Sequence, residues 1–141
     1  MGKNVHNDVL DEALGYIKSN ATRLVVLTSE PVGASAYSNA QKDKDSSGFR
    51  LAEKTVTSAN YSGPGEGSPN GRELQVSAAT SMSVNGVASS ANASHVGLVQ
   101  WHSSSASLQN VLYVTSCTQQ NLTGGNKVNT PAWTITLRDP T

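Results

Sequence analysis

After its first twenty residues the chain is built of short segments in which apolar and polar positions alternate, separated by stretches of Ser, Thr, Asn and Gly. The opening has a different period. Leu10, Ala13, Leu14, Ile17 and Ala21 recur at three- and four-residue steps, which gathers them on one stripe of a helix. This pattern predicts a helix over about residues 8–20, with Asn7 as its cap. Asp8, Asp11 and Glu12 fall in the first turns, where carboxylates suit the positive end of the helix dipole. Gly15 lowers the intrinsic propensity by up to about 1 kcal/mol relative to alanine. Three turns are marginal in isolation, so the stripe is expected to dock on a sheet or on a neighbouring subunit.

Beyond Asn20 the period falls to two. Residues 22–28, TRLVVLT, are apolar enough for a central strand that Glu30-Pro31 ends. Residues 31–50 hold Pro31, Gly33, Gly48 and the mixed run QKDKDSSG. They read as a long surface loop, of a length that points to disorder or binding, and its deletion over residues 38–48 is expected to spare folding. Residues 51–60 alternate loosely, as an edge strand does. Residues 61–71, YSGPGEGSPNG, are turn chemistry throughout. Further strands are expected at 72–79, with Leu74, Val76 and Ala78 on one face, and at 82–88, with a turn or bulge at Asn85-Gly86. Residues 94–102 and 111–118 are apolar on both faces, as central strands are. Gly124-Gly125 reads as a turn. In the last segment Trp133, Ile135 and Leu137 face inward and alternate with Thr134, Thr136 and Arg138. The sum is an all-β fold: an antiparallel β-sandwich, jelly-roll-like or a partly open barrel, of about seven strands with one short N-terminal helix. At 141 residues it is expected to be a single domain, 1–141.

Composition narrows the function. Ten Lys or Arg balance ten Asp or Glu, so there is no basic stripe for neutralising phosphates, and no nucleic-acid partner is expected. No apolar run approaches the roughly twenty residues of a membrane-spanning helix, and no membrane partner is expected. The acidic N-terminal stretch does not read as a signal peptide, which implies synthesis in a cytoplasm. Cys117, the single cysteine, follows a β-branched run and is expected to be a small buried hydrophobe.

Groups for chemistry are scarce. His95 and His102 stand seven positions apart on one predicted strand, roughly 23 Å when extended and on opposite faces, so they cannot share a metal. Asp43 and Asp45 alternate with Lys42 and Lys44 as a solvated, locally neutral segment, out of register with a calcium loop. Gly63, Gly65 and Gly67 are interrupted by Pro64, which removes a donor from any phosphate cradle. No G-x-S-x-G elbow or HExxH is present. No catalytic residue, metal or cofactor is therefore expected. The residues best suited to gripping a partner are the helix stripe Leu10, Leu14 and Ile17, with Tyr37, Phe49 and Trp101.

Four stretches, NDVLDEALGYIKSNATRLVVLTSEP, GRELQVSAA, SHVGLVQWHSSSASLQNVLYVTSCT and LTGGNKVNTPAWTITLRDPT, carry a resemblance to small virion structural proteins of tailed bacteriophages. The likeness covers most of the chain and departs from the pattern in the longer QKDKDSSG loop and PGEGSPNG turn. It implies a non-enzymatic capsid decoration (cement) protein on the capsid surface of the virion, made in the host cytoplasm, whose partner is the major capsid protein. The alternative it implies is a tail-associated adaptor or fibre-like protein contacting tail proteins or host glycan. Homo-oligomerisation, as a dimer or trimer, is expected because an apolar stripe and an open sheet edge both need cover.

Overall fold

The computed structural model describes residues 5–67 and 70–138. Its architecture follows from how β1, Arg23–Leu27, divides its side chains between two faces. Leu24 and Val26 enter the main core, while Val25 and Leu27 enter a second cluster on the opposite face. A strand buried on both faces sits inside a sheet. β1 pairs antiparallel with β2, Arg50–Thr55, on one side and with β6, Ser90–Gln100, on the other. β7, Asn110–Thr123, completes the sheet in the order β2-β1-β6-β7.

The facing layer is the antiparallel sheet of β3, Tyr61–Glu66, β4, Arg72–Val76, and β9, Trp133–Leu137, with β4 in the middle. A ribbon of β5, Ala79–Ser83, and β8, Lys127–Thr130, bridges to β2 through Ala52 and Val84. Between the layers lie Leu24, Val26, Leu51, Leu74, Val76, Val84, Leu98 and Ile135. The described residues thus form an antiparallel β-sandwich of nine strands. The number exceeds seven because two segments that read as turn or loop pair as strands.

The first of these is 61–66. Its glycines and proline mask the alternation, yet Tyr61 is buried and the segment ladders onto β4 from Tyr61↔Val76 to Glu66↔Arg72. Gly63, at φ 106°, accommodates an irregularity in that ladder beside the cis Gly63-Pro64 peptide. Of the expected turn, Ser68 and Pro69 lie outside the described residues, and the Gly67 N–H donates to the Gly71 carbonyl at 3.0 Å. The second is β8, Lys127–Thr130, beyond the Gly124-Gly125 turn, which pairs with β5. β5 itself begins earlier than the strand expected at 82–88: Ala79 and Met82 are buried, and Ala78, expected inside, is exposed.

Helix α1 spans Asn7–Asn20. Its cap is His6, whose Nδ1 accepts from the Asp8 N–H at 3.3 Å, and not Asn7, which is already helical. Leu10 and Leu14 are buried and Ile17 packs on the main core. The helix lies against β3 and β4, fastened by Arg72, which donates to Asp11 at 2.6 and 2.9 Å and pairs with Glu66, and by Lys18, which donates to the Gly63 carbonyl at 2.8 Å. Leu10, Leu14, Ile17 and Ala21 of the stripe are therefore covered by their own chain, while Ala13 is exposed.

Residues 31–50 are not a structureless loop. They form a 3-10 turn, a helix α2 at Ala36–Gln41 and a second 3-10 turn. Ala40 is fully buried, and Tyr37 and Phe49 pack with it over Val25, Leu27 and Val99. A helix of six residues is too short to display a period, so only its packing reveals it. The segment caps the outer face of the four-stranded sheet. At Asn85-Gly86 the chain hydrogen-bonds to the Leu51 carbonyl. A Cβ on Gly86 would collide with the Arg50 carbonyl, so the glycine there permits close backbone approach.

Candidate functional site

Where β6 ends, Trp101 meets helix α2. Tyr37, Ser38 and Gln41 of the helix, Trp101, His102 and Ser103 after β6, and Gln109 line an open cleft of about 290 Å³. Two residues far apart in sequence and both suited to partner contact, Tyr37 and Trp101, thus share one surface. Both are half-buried.

Trp101 is held from below and from the side. Its backbone N–H donates to Thr22 Oγ1 at 2.8 Å. The Arg23 guanidinium lies over its ring, 4.3 Å from the centroid, a cation–π contact worth about 0.5–1 kcal/mol at a partly exposed site. Arg23 is itself fixed by Glu53 Oε2 at 2.8 Å, which also accepts from Arg50 Nη1 at 2.7 Å. Arg50 in turn donates through Nε and Nη2 to Asp43 Oδ1 at 3.0 and 2.6 Å. A chain of charges therefore runs from the 31–50 segment to Trp101. Asp43 belongs to this network and Asp45 Oδ2 accepts the Ala88 N–H at 2.7 Å. The QKDKDSSG carboxylates are thus engaged with the fold and do not form a solvated loop.

The floor of the cleft is set by the β6–β7 connection. His102 Nδ1 accepts from the Ser105 N–H at 2.9 Å and, more weakly, from Ser104 at 3.3 Å, while Gln109 Nε2 donates to the His102 carbonyl at 2.8 Å. An accepting Nδ1 leaves the proton on Nε2 when the ring is neutral. His95 lies elsewhere, with Nδ1 at 2.7 Å from Ser94 Oγ, which donates to the Thr28 carbonyl. Both histidines act as local hydrogen-bonding groups in their own segments.

Of the other predicted contact residues, Leu14 is fully buried and Leu10 nearly so. Ile17 packs on the main core, and Phe49 packs beneath the 31–50 cap. These four hold the subunit together, because a three-turn helix and a short cap can be retained only by burying their apolar side chains. The outward side of α1 instead exposes Val9 and Tyr16. Reading along the chain missed Gln41 and Gln109 as parts of the cleft and Arg23 as the brace over Trp101. The signal exists for Arg23, which pairs with Val99, two residues before Trp101 on the same face, but it needs the β1–β6 register.

A second cleft, of about 330 Å³, lies between the middle of β7 and the segment from Val128 to Pro131. Val26, Ala93, Val96, Leu122, Val128 and Trp133 form its apolar walls. Cys117 is on its rim and is exposed, contrary to the buried position expected. A two-residue excess in β7 between the pairs Ala93↔Gln120 and His95↔Ser116 displaces residues 117–119 from the ladder and lifts the thiol out of the core. Partial burial against the cleft still raises its pKa. Trp133 stacks on Tyr113 with centroids 5.7 Å apart. Its Nε1 and the hydroxyl oxygen of the buried Thr130 have no hydrogen-bond partner among the described residues.

Compared with protein-family models, with curated proteins and with solved structures, the chain matches none of them.

Proposed function

We propose that this chain is a non-enzymatic virion structural protein of a tailed bacteriophage, a capsid decoration protein that binds and reinforces the lattice of the major capsid protein. The observation that carries the reading is the cleft in which Tyr37 and Trp101 meet. Two aromatic side chains, Trp101 braced by the charge network and Tyr37 packed on the second core, ringed by Ser38, Gln41, His102, Ser103 and Gln109, form a small anchor with a polar rim, the anatomy of a protein contact. The likeness to tailed-phage virion proteins supports the same reading. Its stretches include most of β1, β4, β6, β7 and β9, which build the two layers, while its departures fall in the 31–50 cap and the 61–71 hairpin. The cap carries half of the cleft, so variation there would change the partner contact and leave the sandwich intact. Repetition over a symmetric lattice multiplies weak single contacts into firm attachment.

Cryo-electron microscopy of the assembled virion tests this. Density for this fold arrayed over the capsid, with the Tyr37–Trp101 cleft seated on a capsid subunit, is the expected result. Absence of the chain from the particle would sink the reading. The same cleft favours one alternative, a tail-associated adaptor or fibre-like role, because aromatic faces beside His102, Gln41 and Gln109 suit a sugar ring as well as a side chain. Density confined to the tail, with the cleft free or holding glycan, selects it.

A further inference from the structure

β7 is the longest strand, with 14 residues, and it stands at the edge of its sheet with β6 as its only partner among the described residues. Edges of this kind are templates for pairing, and proteins usually blunt them with charges or proline. The opposite edge, β2, carries Arg50, Glu53 and Lys54 and is bridged by Asp43 and Val84. The β7 sequence, NVLYVTSCTQQNLT, contains no charged residue and no proline. Residues 116–121 are all exposed, and beneath them opens the 330 Å³ cleft, whose fourteen lining residues are also uncharged.

From these observations we infer that the β7 edge and its cleft are a self-association surface, on which a second copy of this chain adds its own β7 antiparallel about a two-fold axis. A two-fold contact brings each patch against itself, so it must be self-complementary. A charged patch would meet its own sign. The exposed run of β7, residues 116–121, presents hydroxyls, amides and one thiol, groups that can each donate and accept. The chain as a whole has no net charge to oppose the approach of a copy. The displacement at 117–119 divides the edge into regular runs at 113–116 and 120–123, so pairing is confined to these. The surface is separate from the Tyr37–Trp101 cleft, and the two stand or fall independently.

Sedimentation of the full chain from micromolar to millimolar concentration, with a nitroxide on Cys117 for electron–electron distance measurement, tests the inference. Any antiparallel register within the two runs keeps the two Cys117 positions within about 30 Å along the strands. The expected result is a dimer with a label distance on the order of 40 Å or less, allowing for the label arms. Replacing Ser116 and Gln120, both exposed, with Lys should convert it to monomer with an unchanged far-ultraviolet spectrum and melting temperature. A control with Lys at the exposed Ser58 and Thr80 should remain dimeric. A monomer at every concentration overturns the proposal. So does a dimer with a longer label distance, or one indifferent to the β7 lysines. If the lysine variant fails to fold, the label distance in the otherwise unaltered chain decides.

Discussion

Tyr61 carries its hydroxyl into the core without a hydrogen-bond partner among the described residues. Burial disfavours the phenolate and pushes its pKa from 10.0 up to about 12. Between these values the unfolded chain releases the proton while the folded chain keeps it, so stability is intact below pH 10 and falls as pH rises toward 12. Tyr61→Phe is expected to raise stability by about 1 kcal/mol, since it removes a buried unsatisfied hydroxyl and keeps the ring. It should also remove this alkaline component. Urea denaturation at pH 7 and across the alkaline range measures both effects. Trp133 presents the reverse case. It is half-buried, at the border of core and cleft, so Trp133→Ala should cost about 2 kcal/mol, below the roughly 3–5 kcal/mol of a fully enclosed aromatic. Denaturant midpoints separate the two values.

At the scale of the element, the 31–50 segment behaves as a lid of the second core. Removing residues 38–48 would strip Ala40 from Val25, Leu27 and Val99 and remove Asp43 from Arg50. The deletion is therefore expected to lower stability by about 3 kcal/mol or more, seen as a marked fall in melting temperature. A tolerated deletion would return the segment to the status of a loop. On the adjoining strand β2, Glu53 holds both arginines of the charge chain. Glu53→Gln should release Arg23 from its place over Trp101, changing tryptophan fluorescence and near-ultraviolet circular dichroism. Its effect on global stability should stay within about 1 kcal/mol, because the pairs are partly exposed.

For the whole molecule, balanced charge has a consequence for binding. The proposed partner contact is made by aromatic and neutral polar groups in the Tyr37–Trp101 cleft, so screening has little attraction to weaken. Capsid association is expected to change less than about threefold between low and high salt, whereas a charge-driven contact would lose orders of magnitude. Binding assays on purified capsid shells across a salt series decide between them.

The layers were legible from period alone. The α1 stripe, β1, β6 and β9 declare themselves because each repeats its apolar spacing long enough to be read and each packs most of those residues against the core. Segments whose order comes from contacts were not legible. The period of β3 is hidden by glycines, α2 is shorter than two turns, and Cys117 leaves the core through a displacement that no local preference signals. The site divides in the same way. Tyr37 and Trp101 stand out as aromatics in polar surroundings, but nothing along the chain brings them together. Sequence by itself determined that this protein is all-β and antiparallel with an N-terminal helix, because hydrophobic periodicity is a local property that selects which face of each element is buried. Only the tertiary structure decided which aromatics share a cleft, which charges brace it and which edge stays open, because these depend on strand order and register, set by packing between residues far apart in the chain.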